Sequence, residues 1–457
     1  METNRSDADL PVGGAVFRGS PDYEQRRRGL SWTRTVPERH PNAIVPARDV
    51  ADVQNAVRFA VDKGWLIAPK SGGHSHIGSS IRDDALVIDM AAMNHLEIDP
   101  VARKAKVGPG VKSDQLAEAL AQHGLAFPVG HCRSTGMGGY LLGGGLGINW
   151  NQWGPACYSV TGLDVVGADG SVRKVDDEND GDLMWLARGC GPSFPGVITA
   201  YYLDVKPMPA IRVSMYVFPL EDTSVVSAWL DELTPRLSAT VEPFAFLAGP
   251  VFGGDAPPEA RFIAVAAFAF DEDEEAAEVA LRPLRSTPRK PLMAEHASPR
   301  QFQDLFALID LFLPPDKPRV HCDSMWSDDG VQQLLGALEQ HMASCPSPLN
   351  NILLFQPPRI PLRDNACFSM MRSNIVTIYG LHESEEENEA NADWVAEGMA
   401  LLEPFTAGYW VNEADLLADP GRASNSFAPE VWSRMRSVRS KYDDWGLFAD
   451  FPSLQGS

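Results

Sequence analysis

Two short stretches of this 457-residue chain combine residue types that chemistry needs. The first is Pro69-Lys70-Ser71-Gly72-Gly73-His74-Ser75-His76. Ser-Gly-Gly permits a tight turn, and without Cβ atoms its backbone N–H groups can approach a ligand closely. Such a turn can cradle a diphosphate, although an ordinary loop contains the same residues. The second runs from Gly130 through His131, Cys132, Arg133, Ser134 and Thr135 to Gly147, with eight glycines in eighteen residues. That density disfavours both a stable helix and a good strand. Ordering it costs much conformational entropy. A cofactor pressed against bare backbone would offset the cost, and a close-packed or flexible loop is the competing reading.

The elements around these stretches must position them. An amphipathic helix is expected after Asp49, with Val50, Val53, Val57, Ala60 and Val61 on one face and Gly64 as its stop. A second follows Ser113, with Leu116, Ala117 and Leu120 inward and Gly124 as its stop. Short apolar runs alternate with them at 65–69, 85–89 and 104–110. Residues 160–166 and 171–175 predict a hairpin around Ala168-Asp169-Gly170, and 196–206 a further strand. Pro207 and Pro209 mark a lobe boundary. Beyond it, strands are expected at 261–270 and 374–380, and helices from Asp273 to Pro283, over 388–402 and near 428–440. Residues 408–416 predict a short strand running into a loop. The pattern is α+β with short strands.

The two glycine stretches together resemble the FAD-linked oxidases of the vanillyl alcohol oxidase superfamily, in particular the berberine-bridge-enzyme-like group. That group shows (R/K)-(S/G)-G-G-H after a strand, then G-x-C-x-(S/T)-x-G-x-G-G-x-x-x-G-G-G-x-G. A third match is Trp185-Leu186-Ala187-Arg188-Gly189-Cys190-Gly191 with Phe194-Pro195-Gly196-Val197-Ile198-Thr199. The resemblance implies a two-lobed PCMH-type FAD-binding domain with an inserted substrate domain, an antiparallel sheet covered by helices. Residues 1–40, polar and rich in Arg and Pro, read as an irregular N-terminal arm; after it come the FAD-binding domain (41–206), the substrate domain (207–407) and a returning C-terminal segment (408–457). The resemblance also implies FAD bonded covalently to His74 and Cys132. Further contacts are expected from Lys70, Ser71, Gly72, Gly73, Ser75, Thr135, Gly136, Gly138, Gly139, Gly196, Val197 and Ile198. His76 and His131 are neighbours of the linkage positions. Thr135 falls where the family controls oxygen access. The chain departs from the pattern at Tyr158-Ser159, where relatives often have Asp-Asn, and at Pro195, where they often have an aromatic residue.

Trp410-Val411-Asn412-Glu413-Ala414-Asp415 is similar to the family's Y-x-N-Y-x-D, with Glu413 in place of the second tyrosine, the base of many members. Glu413, Tyr409 and Asn412 are therefore the candidate catalytic residues. A carboxylate can take the proton of an alcohol or amine, more so if burial raises its pKa. A strand-end surface carboxylate is the alternative for Glu413. Trp326, Phe355, Tyr379 and Trp410 are candidate lining residues, though aromatic side chains also serve as core.

The implied activity is an FAD-dependent oxidase that moves hydride from an alcohol or amine C–H bond to flavin N5 and electrons to O₂, giving H₂O₂. A dehydrogenase, an oxidative cyclase of a natural product and a weakly active flavin-binding protein are the alternatives. A bulky small molecule and molecular oxygen are the expected partners. The net charge of −22 makes nucleic acid and anionic membranes poor ones. The polar start METNRSDADL and the lack of a long apolar run point to a cytoplasmic protein without a spanning helix. The six scattered cysteines show no zinc spacing, so free thiols and no metal are expected.

Overall fold

The computed structural model describes residues 10–250, 257–315, 318–357 and 360–454. A first sheet, of order β1-β2-β4-β3, comprises β1 (Val16–Phe17), β2 (Ala43–Pro46), β3 (Leu66–Lys70) and β4 (Ala85–Asp89). β2 and β3 both run parallel to β4. The helix Val50–Lys63 joins β2 to β3, which is the crossover a parallel pair requires. It starts on Asp49, whose side chain accepts the Asp52 N–H, and stops at Gly64 in the left-handed region at φ 67°. Val53, Ala56, Val57 and Ala60 bury its inner face against the sheet.

A second, antiparallel sheet has the order β5-β6-β10-β8-β9. Its members are β5 (Leu96–Asp99), β6 (Lys104–Val107), β8 (Val160–Val166), β9 (Val172–Val175) and β10 (Val197–Asp204). The short pair β7 (Leu125–Ala126) and β11 (Lys206–Pro207) lies beside it. The hairpin expected around residues 168–170 is β8–β9, with Gly170 at φ 71°. The helix Ser113–Ala121 buries Leu116, Ala117 and Leu120, and Gly124 follows at φ 65°.

The third sheet is seven-stranded and antiparallel throughout, in the order β15-β12-β14-β13-β17-β18-β16. It contains β12 (Ala210–Pro219), β13 (Val241–Ala248), β14 (Phe262–Asp271), β15 (Met293–Arg300), β16 (Arg319–Ser327), β17 (Asn351–Phe355) and β18 (Asn374–His382). Its inner strands β13, β14 and β17 read as nearly unbroken apolar runs because both faces are covered. Along β13, Val241, Ala245 and Leu247 pack under helices such as Thr223–Leu233 and Val331–Ala343. Phe244, Phe246 and Ala248 alternate to the opposite face and join the core shared with the first lobe. Glu242 reaches across that junction and accepts the Asn151 N–H at 3.1 Å.

Three expectations need correction. Residues 408–416 are not a strand: the Glu413 and Ala414 N–H groups both bond back to Trp410 O, at 3.1 and 2.8 Å, closing a turn. The glycine-rich stretch does contain a helix, Met137–Leu142, capped between Gly136 and Gly143. It is six residues long, and tertiary contacts override the poor local propensity. The N-terminal arm is also not merely irregular. It supplies β1 and the helix Tyr23–Arg28, and the Trp32 N–H donates to Gly73 O at 3.2 Å.

Candidate active site

The glycine stretches meet backbone to backbone. A Cβ on Gly72 would lie 2.4 Å from Gly136 N, and one on Gly136 would lie equally close to Gly72 N. Gly73, at φ 73°, has the Leu30 carbonyl of the arm where a side chain would stand. Several glycines thus permit protein–protein contact rather than ligand contact. Gly143, for instance, makes room for the Asn412 side chain. Gly139 differs: a Cβ there would meet nothing within 4 Å, because its Cα faces the cleft.

The cleft runs between these segments and the seven-stranded sheet and encloses ≈ 1810 Å³ of space, including its open mouth. Of the residues expected to bind cofactor, Lys70 through Ser75, Cys132, Thr135, Gly136, Gly138, Gly139, Gly196 and Ile198 line it. Val197 does not. Successive residues of a strand face opposite sides, so with Ile198 in the cleft Val197 is buried against the core under the helix Val50–Lys63. Two of the polar lining groups are engaged inside the protein. Lys70 Nζ pairs with Asp89 at 3.1 Å, and Ser71 Oγ donates to Pro109 O.

His74 Nε2 shares a hydrogen bond with Ser134 Oγ at 2.9 Å, which ties the first stretch to the second two residues beyond Cys132. Trp32 stacks on the His74 ring with 4.6 Å between centres and an interplanar angle of 5°. Desolvation, reinforced by His76, Lys112 and Lys70, lowers His74 to about 3. The imidazole is therefore neutral at physiological pH, the state in which its nitrogen is a nucleophile. Burial pushes the Cys132 thiol up to about 12, and the Glu413 and Asp310 carboxylates push the same way. Its sulfur becomes nucleophilic only when that proton is removed. The neighbours His76 and His131 are each lowered by burial to about 4.

Opposite these two residues stands Glu413. Thr377 Oγ1 donates to its Oε2 at 2.9 Å, and the Tyr379 hydroxyl also hydrogen-bonds the carboxylate. Desolvation raises Glu413 to about 7 against the opposing pull of both hydroxyls. Asn412 lines the cleft too, its amide donating to Tyr140 O at 3.4 Å. Tyr409 does not share the site. Arg422 lies over its ring, with the guanidinium carbon 4.6 Å from the centroid, and it lines a separate cavity with His321, Asp323 and Arg422. The 410–414 turn sends successive side chains in different directions, so Tyr409 and Glu413 part company. Among the aromatic candidates, Phe355, Tyr379 and Trp410 line the cleft, whereas Trp326 is fully buried in core.

Sequence reasoning passed over Trp32, because the arm lacks a motif, and Thr377. A signal for Thr377 existed: it is a polar residue two positions before Tyr379, on the same face of an otherwise apolar strand.

The FAD binding domain family matches residues 41–176. The FAD-linked oxidoreductase nodO of Hypoxylon pulicicidum is 30% identical over 458 residues, covering 97% of each chain. The chain belongs to the FAD-linked oxidoreductases. FAD-linked oxidoreductase ptmO of Penicillium ochrochloron is 29% identical over 435 residues, 94% of each chain. In fold, the chain matches 6-hydroxy-D-nicotine oxidase of Arthrobacter nicotinovorans with a TM-score of 0.84 at 21% identity, covering 97% of this chain and 98% of the other. Berberine bridge enzyme of Eschscholzia californica matches with a TM-score of 0.80 at 18% identity, covering 97% of each. The protein is an FAD-dependent oxidoreductase with the expected mixed α+β architecture. The walls of the cleft fit that cofactor: Gly139 turns bare backbone to open space, and a neutral imidazole and a thiol stand in the same cleft. Among the described residues, no helix is long and apolar enough to cross a membrane.

Proposed function

We propose that this FAD-linked oxidoreductase is an oxidase whose flavin is bonded to His74 and Cys132 and whose catalytic base is Glu413. FAD, when bound, would supply a two-electron acceptor for the hydride of the substrate C–H bond, with O₂ as the final oxidant, reduced to H₂O₂. His74 Nε2 is occupied by Ser134, which leaves Nδ1 to carry the bond. Trp32, stacked on the ring, fixes its plane. The Glu413 carboxylate takes the proton of the substrate hydroxyl or amine as the C=O or C=N bond forms. Thr377 and Tyr379 hold the carboxylate in place, and their hydrogen bonds keep part of it ionised near neutral pH.

The observation that carries this reading is a carboxyl raised to about 7 in the cleft that also holds His74 and Cys132. A general base works best with a pKa near the operating pH. Glu413→Gln keeps the size and hydrogen-bonding capacity of the side chain. It should slow anaerobic bleaching of the flavin by substrate roughly 10²–10⁴-fold, the range typical of general-base loss. Peroxide release should fall in step. Bleaching at the wild-type rate would place the base elsewhere.

A further inference from the structure

The sheet lobe lines the cleft with Phe246, Ile309, Phe312, Leu313, Leu353 and Phe355. They come from three places: the neighbouring strands β13 and β17, the helix Phe302–Ile309, and the turn after it. The lobe adds two polar side chains, and both have partners within the protein. The Asn351 amide donates to Phe312 O at 3.0 Å and to Leu349 O at 3.3 Å. The Tyr379 hydroxyl is bonded to Glu413. Among the described lining residues, the formally charged side chains are Lys70 and Glu413, and Lys70 is already paired with Asp89.

Such a wall selects by chemistry. A saccharide presents a hydroxyl at nearly every carbon, and each one buried without a partner loses binding. An anion would find no uncommitted cation among these residues. Flat rings suit the aromatic surfaces: Phe246 and Phe312 stack at 4.1 Å, and Phe355 lies 5.1 Å from the His131 ring. We infer that the substrate is a neutral, largely hydrocarbon ring alcohol whose hydroxyl meets Glu413 while its rings lie on the Phe246, Leu353 and Phe355 wall. This rests on the cleft being the oxidation site, as proposed above.

The test titrates the yellow holoenzyme, without oxygen, with benzyl alcohol, naphthalenemethanol and anthracenemethanol, and with glucose, cellobiose and naphthoate. The flavin difference spectrum reads binding, and bleaching reads turnover. Affinity should rise about ten-fold with each fused ring, from the added apolar surface buried. The sugars and naphthoate should leave the spectrum unchanged. Phe355→Asn should weaken anthracenemethanol about ten-fold, whereas Phe355→Leu, which keeps the wall apolar, should cost less. Sugar or carboxylate binding that equals that of the ring alcohols would overturn the inference, as would an affinity flat across the ring series or no binding of any alcohol. Ring alcohols that bind as expected, with bleaching unchanged in Glu413→Gln, would instead sink the assignment of the base and leave the substrate class standing.

Discussion

Thr377→Val is the sharpest probe of the site, because it removes one hydroxyl and nothing else of size. Thr377 Oγ1 donates to Glu413 Oε2 at 2.9 Å and pulls the carboxyl down against the desolvation that raises it to about 7. A hydrogen bond to a charged group contributes about 1.5–3 kcal/mol, and one pKa unit corresponds to about 1.4 kcal/mol, so its loss should raise the pKa by about one to two units. At pH 7 the wild-type carboxyl is near half-ionised, and the variant would be ionised to about 1–10%. The reductive half-reaction should therefore fall about five- to fifty-fold at pH 7 and recover as pH rises past the new midpoint. Anaerobic stopped-flow bleaching of the flavin across a pH series measures it. A purely structural role would lower the rate equally at every pH. An unmoved midpoint, or one shifted towards acid, would show that Glu413 is not the group being titrated.

Three further outcomes are expected. Acid-precipitated protein should stay yellow in His74→Ala and in Cys132→Ala but lose its colour in the double variant; complete loss from either single variant would rule out two bonds. Thr135 lines the cleft, so Thr135→Leu should slow reoxidation of the reduced enzyme in air while substrate reduction persists; unchanged reoxidation removes Thr135 from oxygen access. Burial raises Glu242 to about 8, so the folded state holds its proton to higher pH than the unfolded chain. Its contribution is fully present below the ordinary carboxyl range and is lost as pH rises through about 8. Glu242→Gln should flatten the fall of melting temperature over that window, and a slope identical to wild type would show that Glu242 does not cause it.

The local elements were written in the chain. Asp49, the apolar spacing from Val53 to Ala60, and Gly64 define one helix from cap to stop, and those signals act between near neighbours. The paired motifs around His74 and Cys132 were equally legible, because the glycines needed for close backbone approach leave a compositional trace. What the glycines approach was not legible. Gly72 meets Gly136, Gly143 meets Asn412, and only the assembled fold distinguishes these contacts from the open face of Gly139. The strand period set Ile198 and Val197 on opposite sides, but which side was the cleft depended on the packing of the helix Val50–Lys63. The same held at 410–414, where hydrogen bonds back to Trp410 O make a turn and send Glu413 and Tyr409 to different cavities. Trp32 and Thr377 reach the site from 42 residues before His74 and 36 before Glu413. No spacing rule links such positions, and their contacts exist only once the arm and the sheet have closed around the cleft.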